Sequence, residues 1–358
     1  MAIDVDFVGT DKVKDDYDAI AFKTWHGGRE LRCVFDGGTT DVGDVLVNHL
    51  NTWYRREEEL SPVLDYVICS HPDRDHVNGI IKILEKCVVR NLVINYPWDV
   101  LDELYERKKN PRYQKENFLQ DLKDAYPQLV KIEELVERKH IVRHLGLVGC
   151  ELCAELTILS PSRELYIEKL AESPKTPNTL LEKKSYAARG EDGWEDAKKW
   201  VDSLHDDVAT EAENETSVVM YVKGDENTML LVGDAGVDGL KLTVQNAARA
   251  KIELPAVSIS QVPHHGGRHN VTSSLLNEII GPIRQIDERQ YKWAFVSTGF
   301  GSDHPTKCVT NAYWNRGWNV FVSSSQILHG NQGGHFQSRN YSEAKPVGFQ
   351  QKVEKWDD

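Results

Sequence analysis

Residues 64 to 79 read Leu-Asp-Tyr-Val-Ile-Cys-Ser-His-Pro-Asp-Arg-Asp-His-Val-Asn-Gly. The segment up to Ser70 is short and apolar, the pattern of a buried strand. It runs straight into His71, Asp73, Asp75 and His76, four side chains able to ligate a metal within six residues. They can converge only if the backbone turns tightly between this strand and the helix expected over Ile80 to Lys86. Carboxylate oxygens and neutral imidazoles are the donors expected around zinc, manganese or iron. A purely structural role explains less: capping of the next helix accounts for Asp75 and a strand end for His71, but neither accounts for the set.

Outward from this stretch, strand and helix signals alternate. Residues 3–9, 18–25 and 30–38 read as strands, the last stopped by Gly37 and Gly38. A helix is expected over Val42 to Tyr54 and a strand over Asn91 to Asn95. From Trp98 to His140 the pattern becomes charged and helical. Strand character returns at Glu155 to Leu159, followed by a segment from Ser162 to Glu213 with a helical piece around Trp194 to Leu204. The last third alternates again: a hairpin around Gly224 to Asn227, a helix over Leu240 to Ala250, a strand at 256–263 and a helix over Ser273 to Ile280. Two more strands follow, at 293–299 and 320–324. This order predicts an α/β layered architecture, one domain over residues 1–330 with helix-rich insertions near 98–140 and 162–213. An irregular tail follows at 331–358.

Composition narrows the classes. Apolar residues make up 40% and charged residues 28% of 358, with nine Trp, thirteen Tyr and nine Phe spread along the chain, which excludes disorder as the main theme. No stretch approaches the roughly 20 apolar residues of a membrane span. The start, MAIDVDFVGTDK, has neither a basic region nor an apolar core, so no secretory signal is expected. Six sparse cysteines, with one Cys150-x-x-Cys153 pair lacking a partner pair or a nearby His, fit reduced thiols and a cytoplasmic location. The net charge of −13 opposes binding of nucleic acid through the whole surface, though not through a local groove. Ten acidic residues against two lysines lie between Glu191 and Glu215, the composition of a solvated face.

Three further clusters fall where strands end. Asp234 follows Met229 to Val232, His264 and His265 precede two glycines after the strand at 256–263, and His304 follows the strand at 293–299. Singly each is weak, because a Gly-Asp pair is often a turn and paired histidines can be surface decoration. Their shared position at strand ends of an α/β sheet is what binding sites in such sheets require.

In chain order, SHPDRDHVNG (70–79), NETSVV (214–219), LLVGDAG (230–236), VPHHGG (262–267) and DHP (303–305) resemble the metallo-β-lactamase fold superfamily. The pattern is most similar to the hydrolase domain of the competence protein ComEC and its soluble relatives, which share Asp73 where other members carry a second His. The resemblance implies a four-layer αββα metallo-β-lactamase fold with helical insertions, holding two divalent metal ions, zinc or manganese. His71 and Asp73 would serve one ion, Asp75, His76 and His265 the other, and Asp234 both. His264 would touch substrate, and His304 would be a ligand or a phosphate contact; the residue before it, a Gly in the family, is Asp303 here. Asn214 stands where many members place a further His, and becomes a substrate contact or weak ligand. With Asp73 and Asn214 as oxygen donors, the first site is harder and better suited to manganese or magnesium.

Under that resemblance Asp75 orients the attacking water and accepts its proton, with His264 or His304 aiding the leaving oxygen. The expected function is a metal-dependent phosphodiesterase or nuclease acting on nucleic acid or a small phosphodiester. The alternatives are hydrolysis of a small ester (phosphorylcholine-type, nucleotide or lactone) and a non-catalytic metal-binding partner protein. Arg74, Arg268 and Lys307 lie nearest the motifs, and Arg107, Lys108, Lys109, Arg112 and Lys115 could form a phosphate-tracking strip. Trp98, Tyr186 and Trp194 are candidate pocket aromatics. Nothing in the chain corresponds to the membrane channel of ComEC, so a separately encoded protein partner is the expectation in its place.

Overall fold

Side-chain alternation sets up a sandwich. In β1 (Ile3–Phe7), Ile3, Val5 and Phe7 enter the apolar layer between two sheets, while Asp6 on the opposite face bonds Tyr54 and contacts His49. The same division runs through β2 (Ala19–His26) and β3 (Arg29–Gly37): Ile20, Phe22, Cys33 and Phe35 face the second sheet, and Ala19, Ala21 and Val34 face helices. The structure, a computed structural model, describes residues 3–108, 113–177, 193–285, 292–332, 339 and 341–356.

After β3 come α1 (Thr40–Trp53), β4 (Val63–Ile68), α2 (Arg74–Lys86) and β5 (Val88–Val93). Then follow α3 (Leu101–Arg107), α4 (Lys115–Ala125), α5 (Pro127–Lys139) and β6 (Val142–His144). The second half comprises β7 (Leu156–Ser160), α6 (Arg163–Glu172), β8 (Trp194–Asp196), β9 (Val219–Lys223), β10 (Thr228–Leu231) and α7 (Val237–Arg249). It ends with β11 (Ile259–Gln261), α8 (Ser273–Ile279), β12 (Trp293–Ser297), α9 (Lys307–Asn315), β13 (Asn319–Ser323), β14 (Leu328–Gln332) and β15 (Lys352–Glu354).

One sheet has the order β14-β1-β2-β3-β4-β5-β6 and the other β13-β12-β11-β10-β9-β7. Residues of α1, α2 and α5 cover the outer face of the first, and residues of α7, α8 and α9 that of the second, with Phe7, Phe35, Met220, Met229 and Phe295 between the sheets. This is the αββα layering that the resemblance implied. Pairing is parallel from β3 to β6 and from β10 to β13, so the carboxyl ends of the central strands in each sheet share one rim. Among the described residues no helix is long and apolar enough to cross a membrane.

The stretch from Trp98 to His140 is helical as expected, and its apolar side chains join the core. Phe118, Leu122, Leu129, Ile132 and Leu135 bury themselves in the same cluster as Val77, Ile80 and Leu84 of α2. The helix expected around Trp194 to Leu204 does not form. Trp200 adopts a left-handed φ of 67°, and Trp194–Asp196 pairs antiparallel with β15. The acidic side chains after it bind donors of the second half: Asp202 takes Ser273 Oγ at 2.6 Å and Arg316 at 2.7 Å, and Asp206 takes Ser274 Oγ at 2.9 Å. These bonds tie the segment to α8 and the end of α9 in a non-helical course. Leu328–Gln332 adds an edge strand beside β1 just before the tail, whose described residues are irregular apart from Lys352–Glu354, and buried Arg339 pairs with Asp4 and Asp6.

Three glycines bring α1 and α2 onto the end of β3. A Cβ on Gly79 would sit inside van der Waals contact of the Gly37 carbonyl and 2.9 Å from Gly43 Cα, and Gly79 N–H donates to Gly38 O at 2.8 Å. This close approach fixes where α2 begins, and so where the loop before it points. Gly79→Ala is expected to destabilise the protein by about 1–3 kcal/mol through overpacking against backbone that has nowhere to move, read as a lower urea midpoint. An unchanged midpoint would show that the contact relaxes freely.

Candidate metal centre

The loop from Ser70 to His76 is folded around a carboxylate far away in sequence. Asp36, fully buried at the end of β3, accepts Ser70 N–H at 2.7 Å, Ser70 Oγ at 2.6 Å and His76 Nδ1 at 2.9 Å. Ser70 Oγ, donating to Asp36, is left to accept from His71 Nδ1 at 3.0 Å. Both imidazoles thus have their Nδ1 edge engaged, and each presents Nε2 to the same space, with ring centroids 4.2 Å apart. Asp73 occupies the N-cap position of α2, yet its carboxylate makes no cap bond, unlike Thr39, Ser162 and Thr272 before α1, α6 and α8. Its Oδ2 lies 3.6 Å from His71 Nε2 and its Oδ1 is 2.6 Å from Lys175 Nζ.

The second sheet delivers the opposite wall. Gln261 of β11 accepts Val232 and Gly233 N–H at 2.8 and 2.9 Å, holding the turn that presents Asp234. After β11, His264, His265 and Gly266 all have left-handed backbone, with φ of 47°, 54° and 82°. Two consecutive non-glycine residues there cost about 1–3 kcal/mol each, and the result turns both imidazoles toward Asp234. His265 Nδ1 donates to Ser297 O at 3.0 Å, leaving its Nε2 for the centre.

The donors form two groups sharing Asp234. In one, His76 Nε2 lies 3.4 Å from Asp75 Oδ2 and from Asp234 Oδ1, and His265 Nε2 lies 3.4 Å from Asp75 Oδ2. In the other, His71 Nε2 and His264 Nε2 lie 3.9 and 3.6 Å from Asp234 Oδ2. A four-coordinate ion with bonds of about 2.0–2.1 Å holds its donors about 3.3 Å apart, which the first spacing matches. His71 Nε2, His76 Nε2, His265 Nε2 and Asp234 Oδ1 are buried without a hydrogen-bond partner. Convergent orphans of this kind are costly unless something binds them, and a divalent cation fits this donor set.

Charge agrees with geometry. Burial alone would raise Asp234, but the imidazoles of His76, His264 and His265 hold it far below the usual carboxylate range. Asp75 and Asp73 are lowered in the same way despite burial, the first by His76 and His265 and the second by His71 and Lys175. Burial opposes protonation of His265, yet Asp234 and Asp75 push it up to about 10. In the bare protein, protons balance the carboxylates; a cation bound at these nitrogens takes their place.

Several of these groups had no motif to announce them. Asp18, just before β2, joins His76, Asp234 and His265 in a buried quartet whose donor atoms lie within 4.8 Å of one another. Its carboxylate faces the Nδ1 edges of His76 and His265 at 3.9 and 4.0 Å and accepts Gln261 Nε2 at 2.9 Å, so it supports the imidazoles from behind. Asp36, Asp18 and Lys175 are distant in sequence and of common types; the nearest signal was a carboxylate directly before Gly37-Gly38. Asn214 is buried, with Nδ2 3.4 Å from His264 Nδ1. His304 sits at the rim, its Nδ1 2.6 Å from Asp16 Oδ2 and its ring 6.4 Å from that of His264.

The other flagged side chains lie elsewhere or are engaged. Arg268 packs on Trp356, Lys307 on Trp194, and Arg74 is exposed. Trp98 stacks on Tyr96 and donates to Glu133. Tyr186, Lys109 and Arg112 lie outside the described residues.

No family model and no curated protein matches the chain. Among solved structures it is similar to the metallo-β-lactamase fold protein YhfI from Bacillus subtilis, at 12% identity and a TM-score of 0.39, over 92% of this chain and 100% of that one. It is also similar to zinc-bound PqqB from Methylobacterium extorquens, at 13% identity and a TM-score of 0.40, over 92% and 99%. A metallo-β-lactamase from Hirschia baltica aligns at 12% identity and 0.30, over 74% and 85%. Likeness at this level concerns the fold alone and adds no weight to any residue's role, which rests on the distances above.

The Asp16–His304 pair gives a pH test. Burial would raise Asp16, but the His304 hydrogen bond and the His265 charge bring it from 3.8 to about 2. A carboxylate lowered by folding contributes stability that is complete above its unfolded value and is lost as pH falls toward its folded one. Urea midpoints of wild type and Asp16→Asn should therefore differ at pH 6 and converge as pH falls from about 4 toward 2. A constant gap would exclude this pairing.

Proposed function

We propose that the chain is a metal-dependent hydrolase that holds two divalent ions, zinc or manganese, and cleaves a phosphodiester. The observation that carries this reading is the convergence of four buried, unpartnered donor atoms, His71 Nε2, His76 Nε2, His265 Nε2 and Asp234 Oδ1, beside the uncapped Asp73 and the half-buried Asp75. Such an ion pair clamps the attacking and leaving oxygens of a displacement and lowers the pKa of water between them. Asp75 is the group to orient that water and take its proton, because its Oδ2 stands between His76 and His265 while about a third of its side chain remains exposed. The Lys175 ammonium beside Asp73 supplies positive charge at the mouth, which favours an anionic phosphoryl oxygen over a neutral carbonyl. His304 stands at the rim beside Asp16, where a leaving oxygen would need a proton. Asp73 in the first group, and the ordered set of strand-end residues, support the ComEC-like reading.

A small diester is the better substrate than a polymer. Within the helical insertion Lys115 pairs with Asp102, Lys123 with Glu133 and Lys131 with Glu85, and the net charge of −13 opposes a polyanion. Of the phosphate-tracking strip, Lys115 is taken up in this way.

Manganese-loaded protein offered single-stranded DNA, duplex DNA, RNA and bis-p-nitrophenyl phosphate should hydrolyse the small diester fastest. Asp75→Ala should lower kcat by at least about 100-fold, the scale of a lost general base. Silence on every substrate with metal bound, or full turnover in Asp75→Ala, would overturn the assignment.

Asp36→Ala, which frees Ser70 and the His76 ring, should weaken metal binding by about 10–100-fold in a competition titration with a chelating dye. Unchanged affinity would show that Asp36 does not orient these ligands.

A further inference from the structure

We infer that His264 supplies the imidazole that position 214 lacks, and that it is a ligand of the first ion rather than a substrate contact. This rests on the two-ion reading above and assigns one donor within it. The hydrogen-bond network decides which nitrogen of His264 is free. Asn270 Nδ2 donates to the backbone oxygen of Asp234 at 2.9 Å, which fixes that amide with its oxygen toward His264. Asn270 Oδ1 lies 2.6 Å from His264 Nδ1, and an oxygen there requires an N–H on Nδ1. Asn214 Nδ2, at 3.4 Å from the same Nδ1, is then a neighbour and not its donor.

With the proton on Nδ1, His264 Nε2 carries a lone pair, 3.6 Å from Asp234 Oδ2. That spacing equals the one between His71 Nε2 and Asp73 Oδ2, in the same donor group. An outer carbonyl or amide oxygen on the far ring nitrogen is the arrangement of a metal-ligating histidine, and His265 has it too, through Ser297 O. The backbone serves the same end. Left-handed geometry at both His264 and His265, continued by Gly266, aims two adjacent imidazoles into one centre instead of to opposite sides. His264 N–H is tied to Gly233 O at 3.1 Å, beside Asp234, so the ring cannot swing away with the loop. The first ion would then be held by His71, Asp73, His264 and the shared Asp234, with Asn214 packed behind the ring.

Ions per chain, measured by mass spectrometry after manganese loading and gel filtration, test this. Wild type and Asn214→Ala should each hold two, and His264→Ala one, with loss of the exchange-coupled paramagnetic signal of a manganese pair. Two ions in His264→Ala, or one in Asn214→Ala, would overturn the assignment. One ion in wild type would also overturn it while leaving metal binding intact, whereas none would remove the metal reading itself. A readout that needs no variant covers a His264→Ala chain that fails to fold. In zinc-loaded wild type, the nitrogen resonance of His264 Nε2 should move to the metal-bound position together with those of His71, His76 and His265. If His264 alone stays at the free position, the assignment fails.

Discussion

The centre depends on one buried carboxylate. Asp36 is surrounded by protein at the end of β3, and accepts both a backbone N–H and a hydroxyl from Ser70 as well as the Nδ1 proton of His76. A carboxylate buried without such partners would be prohibitively unfavourable, so the three bonds and the burial are conditions of each other. Because two of the bonds reach the loop after β4, this one side chain fixes the start of α2, the rotation of the His76 ring and, through Ser70 Oγ, that of His71. The glycine contact between α1, α2 and β3 makes the arrangement sterically possible.

The strand-end groups were legible because each follows an apolar strand with a chemically unusual cluster. Their grouping was legible only in outline. The resemblance implied a substrate contact for His264, and nothing in Pro-His-His-Gly announces left-handed φ at both histidines. Asp18, Asp36 and Lys175 were illegible for a different reason: their partners lie tens of residues to more than two hundred residues away, and aspartate and lysine are too common to flag. The helix expected around Trp194 to Leu204 is absent because Asp202 and Asp206 make tertiary bonds to Ser273, Ser274 and Arg316. In the stretch from Trp98 to His140 periodicity gave helical character without the separate helices, and the charge pattern concealed how apolar their inner faces are.

The two donor groups differ in character. The one with His76, Asp75 and His265 has three spacings of 3.4 Å; the one with His71, Asp73 and His264 is wider, at 3.6 to 3.9 Å, and meets Lys175. Under the two-ion reading this makes the closely spaced position the tighter one and the wider position the one that exchanges with solvent and meets substrate.

Asp234 and His265 come from one sheet, His71, Asp75 and His76 from the other, and neither sheet alone presents more than part of a coordination shell. A ligand that binds only when the sandwich is shut adds its binding free energy to the closure of the two halves. Chelation would therefore act far beyond the rim: it would loosen the seam along Phe7, Phe35 and Phe295, so that resistance to heat and proteolysis would follow the free ion concentration around the protein.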